Sequence, residues 1–151
     1  MFLKDTIMKR IFTFIAISLA AVMTAKADDR PVTFEQLPAA AQSFINNHFQ
    51  SDRISYATVD DDLILPDYTV VLVSGVKIQF SNNGSLEKID AKKAGVPEEL
   101  IPVQILDYVK RHYQDVRFVE YEIDRRSYET KLSNGMELRF NKNFALVGID
   151  D

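Results

Sequence analysis

IPVQILDYVKRHY at residues 101–113 repeats the sense of LPAAAQSFINNHF at residues 37–49, with Pro38 against Pro102, His48 against His112 and Phe49 against Tyr113. Within the first copy, Leu37, Ala40, Ala41, Phe44, Ile45 and Phe49 follow the i, i+3, i+4, i+7 spacing of a one-sided amphipathic helix. Proline in second place suits the first turn of a helix, where a missing N–H costs nothing. Just upstream, Thr33 and Gln36 have the spacing of a capping box.

The correspondence runs on down the chain. Val59 matches Ile123 at an offset of 64, whereas Tyr68 and Tyr128, Leu72 and Leu132, Gly75 and Gly135, Ile78 and Leu138, Phe80 and Phe140, Leu86 and Leu146, and the two Ile-Asp pairs at 89 and 149 match at an offset of 60. One four-residue insertion between Val59 and Tyr68 explains the change, as expected of a loop in a duplicated unit. In the second copy Val119, Tyr121 and Ile123 alternate with Glu120 and Glu122. Tyr128, Thr130 and Leu132 then alternate with Glu129 and Lys131, and Met136, Leu138 and Phe140 with Glu137 and Arg139. This period of two marks antiparallel strands with one buried face. Ser74-Gly75 and Asn134-Gly135 suit two-residue hairpin turns, and SLEKID (85–90) and FALVGID (144–150) supply a fourth strand each. The expected fold is α+β: two tandem units, each a helix plus a four-stranded antiparallel sheet, at residues 28–90 and 101–151. Residues 91–100 form the linker, and the two sheets are either separate or joined side by side.

Ahead of the repeat, Lys4, Lys9 and Arg10 precede an apolar run at 11–23, and Ala25-Lys26-Ala27 has the small-x-small pattern of a signal-peptidase site. Residues 1–27 are therefore expected to be a cleaved signal peptide. The run is shorter than the roughly 20 apolar residues of a membrane span, so no membrane insertion is expected after cleavage. The chain has no cysteine, hence neither a disulfide framework nor a lipid-bearing cysteine. The expected location is the periplasm or the exterior. Cleavage removes four basic residues and one acidic one, so the net charge of −4 becomes −7. Such a balance argues against nucleic acid and anionic lipid as partners.

The LP opening, the helix ending in His-Phe or His-Tyr, the Tyr-x-Val-x-Leu and Tyr-x-Thr-x-Leu strands, the Ser-Gly and Asn-Gly turns and the apolar-x-Phe strands resemble the PepSY-like domains, also described as beta-lactamase-inhibitor-like. The resemblance covers about residues 31–151. It implies a secreted or periplasmic tandem of helix-plus-four-strand units. In the inhibitor fold that lends the name, a concave sheet surface grips a target enzyme. The resemblance carries over no catalytic residue, and this chain lacks that inhibitor's cysteines.

Chemistry-bearing clusters are sparse. His48 and His112, the two histidines, hold equivalent helix-end positions, where histidine interacts favourably with the helix dipole; a zinc site needs three or four ligands together. Asp60, Asp61 and Asp62 in the insertion could gather calcium, but Leu65 and Val71 stand where an EF-hand needs glycine and glutamate. No Gly-x-Ser-x-Gly elbow, phosphate loop or dinucleotide fingerprint is present. No enzyme activity, resident metal or cofactor is expected.

The sheet faces are the most informative. Transferring the register of the second unit to the first puts Val59, Tyr68, Val70, Leu72, Val76, Ile78 and Phe80 inside. Ile54, Tyr56, Thr58, Thr69, Val71, Val73, Lys77 and Gln79 then face outward. This set is far more apolar than its charged counterpart in the second unit, and a contiguous apolar patch usually means contact. It is covered within the molecule, by a second copy, or by another envelope protein, with Tyr56 as anchor. Leu63, Ile64 and Leu65 in the insertion either fold back over the core or form a contact tip. The expected function is an exported, non-enzymatic, protein-binding or inhibitor-like module acting through that face. The alternative is a small-molecule or calcium binder using the acidic insertion or a cleft between the units.

Overall fold

Both amphipathic segments are helical in the computed structural model, which describes residues 29–61 and 64–151: α1 spans Ala39–His48 and α2 spans Val103–His112. The expected signal peptide, with Asp62 and Leu63 of the insertion, lies outside the described residues. Pro38 and Pro102 stand immediately before the helices, and their carbonyls accept the N–H groups of Gln42 and Leu106 to close each first turn. At the other ends the N–H groups of Phe49 and Tyr113 donate to Ile45 and Val109. Basic side chains gather in each last turn, His48 in α1 and Lys110, Arg111 and His112 in α2, where they suit the helix dipole. The capping-box residues form a 3-10 turn, in which Gln36 Oε1 accepts the Thr33 N–H at 2.8 Å.

The strands are β1 (Asp29–Val32), β2 (Ile54–Asp60), β3 (Asp67–Leu72), β4 (Lys77–Phe80), β5 (Leu86–Asp90), β6 (Phe118–Ile123), β7 (Ser127–Leu132), β8 (Glu137–Asn141) and β9 (Leu146–Asp150). They form one nine-stranded antiparallel sheet in chain order, so the sheets of the two halves are continuous. The joint is β5 with β6, where Lys88 faces Glu122, Ile89 faces Tyr121 and Asp90 faces Glu120. Strand β1 was not legible as a strand, because four residues that include Pro31 show no alternation.

Both helices pack on the same face of the sheet. Phe44 of α1 meets Phe80 edge-on at 5.6 Å, and Tyr108 of α2 meets Phe140 edge-on at 5.5 Å. A single core joins Ala41, Ile45, Ile105 and Val109 to Val70, Ile78, Phe80, Ile89, Leu138 and Phe140. Each such apolar side chain removed from water contributes roughly 1.5–3 kcal/mol. The segment at 91–100 is itself built in: Ala91 and Val96 are buried, and their N–H groups donate to Val119 and Phe118 of β6.

The transferred register holds for most of the first half, since Val59, Val70, Leu72, Val76, Ile78 and Phe80 are buried and Tyr68 packs on the core. Ile54 departs from it. A β-bulge between Ile54 and Tyr56 inserts an extra residue, so Ile54 lies opposite the buried Leu72 and packs on the core rather than facing outward. The same bulge recurs between Phe118 and Glu120 and brings Phe118 inside. The hairpins also differ from the two-residue turns expected. The N–H of Leu72 donates to Val76 and that of Leu132 to Met136, which leaves three-residue loops closed by Gly75 (φ 90°) and Gly135 (φ 93°).

Gly84, in the β4–β5 turn at φ +83°, lies where a Cβ would come within 2.8 Å of the Ala41 backbone nitrogen and 2.9 Å of Pro38 Cβ. That turn is seated on the start of α1. Gly75 has a similar φ but open space around it. Gly84→Ala should therefore lose about 2 kcal/mol or more, against about 1 kcal/mol for Gly75→Ala. Equal losses in denaturant unfolding would contradict this seating.

Candidate functional site

The pairing register lays two rows of side chains across the helix-free face. One runs Tyr56, Val71, Lys77, Asp90, Glu120, Lys131, Glu137, Asp150. The other runs Thr58, Thr69, Gln79, Lys88, Glu122, Glu129, Arg139, Gly148. Each row begins neutral; the first turns charged at Lys77 in β4 and the second at Lys88 in β5. The unlike surfaces expected of the two halves are thus adjoining ends of one surface.

At the neutral end lies a groove of about 450 Å3, lined by Tyr56, Val71, Val73 and Lys77 together with Ser74–Val76 and residues 90–94. Tyr56 is 55% exposed and Val73 59% exposed, so among the described residues nothing covers them. Of the outward set predicted from sequence, four residues line this groove, and Thr58, Thr69 and Gln79 hold the adjoining row. Ile54 belongs to the core instead.

The groove rim is fixed by hydrogen bonds. The Ser74 hydroxyl donates to the Asp52 carboxylate, and the Val73 N–H donates to the Arg53 carbonyl at 2.8 Å. The Ser74 bond comes first among the causes that hold the Asp52 carboxyl below its ordinary range. On the other rim the Arg117 guanidinium donates to the carbonyls of Lys93 and Lys92 at 2.8 and 3.4 Å. Lys92 reaches Asp90 and Glu120 at 3.5 and 3.6 Å. Residues 91–94 were read only as linker; the signal that could have placed them at the groove is the match of Lys77 with Asp90, which sets the following residues beside the β3–β4 turn.

The charged end holds a depression of about 260 Å3 lined by Lys88, Glu120, Glu122, Glu129, Lys131, Glu137, Arg139 and Asp150 among others. Its charges satisfy one another. Lys131 meets Glu137 and Arg139 meets Glu129, both at 2.7 Å, and Lys88 bridges Glu122 and Glu120 at 3.3 and 3.5 Å. The Lys131 hydrogen bond lowers the Glu137 pKa, and the Glu129 hydrogen bond raises that of Arg139. Exposed pairs of this kind contribute little to stability, so this end is an ordinary solvated face.

The remaining candidates fall apart from the groove. Ile64 is fully exposed and Leu65 is 57% exposed, so neither folds back over the core, and Asp61 pairs with Arg30 at 2.9 Å. His48 Nδ1 lies 3.0 Å from Glu99 Oε1, while His112 bonds the Tyr108 carbonyl at 2.8 Å and stacks on its ring. His112 thus serves its own helix end, whereas His48 links its helix to the connecting segment. Among the described residues no group of three or more histidine or acidic side chains is placed to hold a metal. In the groove the Ser74 hydroxyl has the Asp52 carboxylate as its partner.

Residues 66–148 match the family model described as "Putative beta-lactamase-inhibitor-like, PepSY-like". Among crystal structures, one described as a "putative periplasmic protein" of a family of unknown function, from Bacteroides vulgatus ATCC 8482, is 34% identical with a TM-score of 0.80; the match covers 84% of this chain and all of that one. A "putative calcium-regulated periplasmic protein" from Bacteroides thetaiotaomicron is 37% identical with a TM-score of 0.80, over 82% of this chain and 98% of the other. Another, described as a "putative periplasmic protein of unknown function" from Bacteroides vulgatus ATCC 8482, is 31% identical with a TM-score of 0.77, over 82% of this chain and 99% of the other. Among curated proteins there is no match. No helix of the described residues is long and apolar enough to cross a membrane. In its residue pattern, its fold and its similarity to these solved proteins, the chain belongs to the PepSY-like, beta-lactamase-inhibitor-like family.

Proposed function

We propose that this is an exported, non-enzymatic binding module of two tandem PepSY-like units, residues 28–90 and 101–151, which grips a protein partner in the groove at the neutral end of its sheet. The uncovered Tyr56 and Val73 beside Val71 carry the reading. Aromatic side chains set in a shaped apolar surface dominate binding energies, and a rigid sheet with fixed rims needs little ordering on association. Lys77, opposite Asp90, would orient the partner. The recurrence of helix, bulged strand, three-residue hairpin and final strand in both halves supports the tandem. The leader expected at 1–27 agrees with relatives described as periplasmic.

A second reading, calcium binding, is favoured by the solved relative described as calcium-regulated. In this chain Asp29, Asp60 and Asp67 are register partners on three successive strands beside the acidic insertion; their side chains as placed do not form a metal-holding group, so a calcium ion would have to draw them together. The Glu87 pKa is raised by burial, then by Asp67 and Glu122, so negative charge is concentrated at this end of the sheet.

Two measurements separate the readings. Immobilised protein should retain one envelope protein that a folded Tyr56→Glu, Val71→Glu variant loses and a Glu129→Lys variant keeps; retention unchanged by the groove variant would sink the first reading. Calcium in hundredfold excess over its dissociation constant would stabilise the fold by about 2.7 kcal/mol, and an unfolding midpoint indifferent to calcium would sink the second. Without calcium, Glu87→Gln should stabilise the protein at neutral pH. A carboxyl whose folded pKa is raised favours folding only while protonated, so this gain should vanish as pH falls below the ordinary glutamate value of about 4.3.

A further inference from the structure

The groove at the neutral end of the sheet has two unlike walls. Tyr56 and Val71 open one row of the sheet, and Val73 follows at the turn; all three line the groove. Lys77 comes next in the row, and Lys92 and Lys93 follow its register partner Asp90. Asp90 is the acidic side chain on a lining that carries three lysines. The whole chain has a net charge of −4, so the groove is a cationic site on an acidic molecule.

Two of these lysines are unpaired. Among the described residues Lys88, Lys92, Lys110 and Lys131 each meet a carboxylate, and Lys142 lies over the Tyr128 ring at 3.9 Å. Lys77 and Lys93 have no such partner among those residues. The carboxylates near them are engaged elsewhere. Lys92 reaches Asp90 and Glu120 at 3.5 and 3.6 Å, Lys88 also reaches Glu120, and Asp52 at the rim accepts the Ser74 hydroxyl and the Arg53 N–H. The open charges thus coincide with the open apolar side chains, Tyr56 and Val73.

We infer, on the reading that the groove grips a protein, that the partner presents an acidic extended segment in which an apolar or aromatic side chain stands beside a carboxylate. The apolar group rests on Tyr56 and Val73, and the carboxylate meets Lys77 or Lys93. One short stretch of chain spans both walls. Neighbouring strands lie about 4.8 Å apart, which sets Val71 about one such step and Tyr56 about two from Lys77; next-but-one residues of an extended peptide, about 7 Å apart, cover that distance with the reach of their side chains. A bare anion has nothing to set against Tyr56 and Val73, so a peptide is favoured over phosphate. The aromatic contact governs how long the partner stays, and the lysines how fast it arrives, because charges at a rim act chiefly on association.

Protein purified from expression of the full chain, immobilised at low salt and offered a library of random displayed peptides, should select sequences that place Asp or Glu within two residues of an aromatic or aliphatic residue. A synthetic peptide of the selected sequence should bind a folded Lys77→Glu, Lys93→Glu variant at least about tenfold more weakly, mainly through slower association, and lose affinity as salt screens the groove. Tyr56→Ala should instead speed dissociation, and Glu129→Lys should change neither rate. Selection of neutral or basic peptides that still depend on Tyr56 would overturn the inference and leave the groove as the contact surface. Peptides held equally by the Tyr56→Glu, Val71→Glu variant, or none selected above it, would remove the groove reading and this inference with it. A dimer in sedimentation that the same variant abolishes would give the groove to a second copy and likewise overturn the inference.

Discussion

The pairing of β5 with β6 is the interaction on which the rest depends. Ile89 opposite Tyr121 is fully buried, and Tyr121 nearly so. Without this joint each half would be one helix over a four- or five-stranded sheet of about sixty residues, a size at which a core is marginal. With it, α1 and α2 cover one uninterrupted apolar surface, and Ala91 and Val96 of the connecting segment add to the same core. The His48–Glu99 contact ties α1 to that segment from the helix side.

A sheet covered on one side only must solve the other side with its own side chains. The second half does so with pairs of opposite charge on neighbouring strands, Lys131 with Glu137 and Arg139 with Glu129. The first half does not. Val71 with Lys77 and Thr69 with Gln79 occupy the corresponding places, and the Ser74–Asp52 bond shapes the turn beside them. The two ends of one sheet thus differ: paired charges cover one, and the other carries the exposed Tyr56 and Val73.

Much of this was legible in the sequence, for identifiable reasons. The helices, the strand alternation and the inward set from Val59 to Phe80 rest on periodicity, which burial on one face enforces. Ile54 was misplaced because a bulge adds one residue without leaving a compositional mark, and one residue reverses a strand's faces. Three-residue hairpins are not distinguishable in sequence from two-residue ones, because both use glycine at positive φ. The groove is legible by half: its strand residues follow from register, but the contribution of residues 90–94 depends on the β4–β5 pairing of Lys77 with Asp90, which carries the following residues past the β3–β4 turn.

The chain-order topology bears on how the molecule folds. Most neighbouring strands are joined by short hairpins, and only two pairings, β1 with β2 and β5 with β6, must close a loop containing a helix. Closing such loops is an entropic toll that grows only slowly with length, but it falls before the contacts that repay it have formed. The hairpins can assemble early and independently. The joint that unifies the core is therefore also the step that waits for α2 to find its place on the sheet.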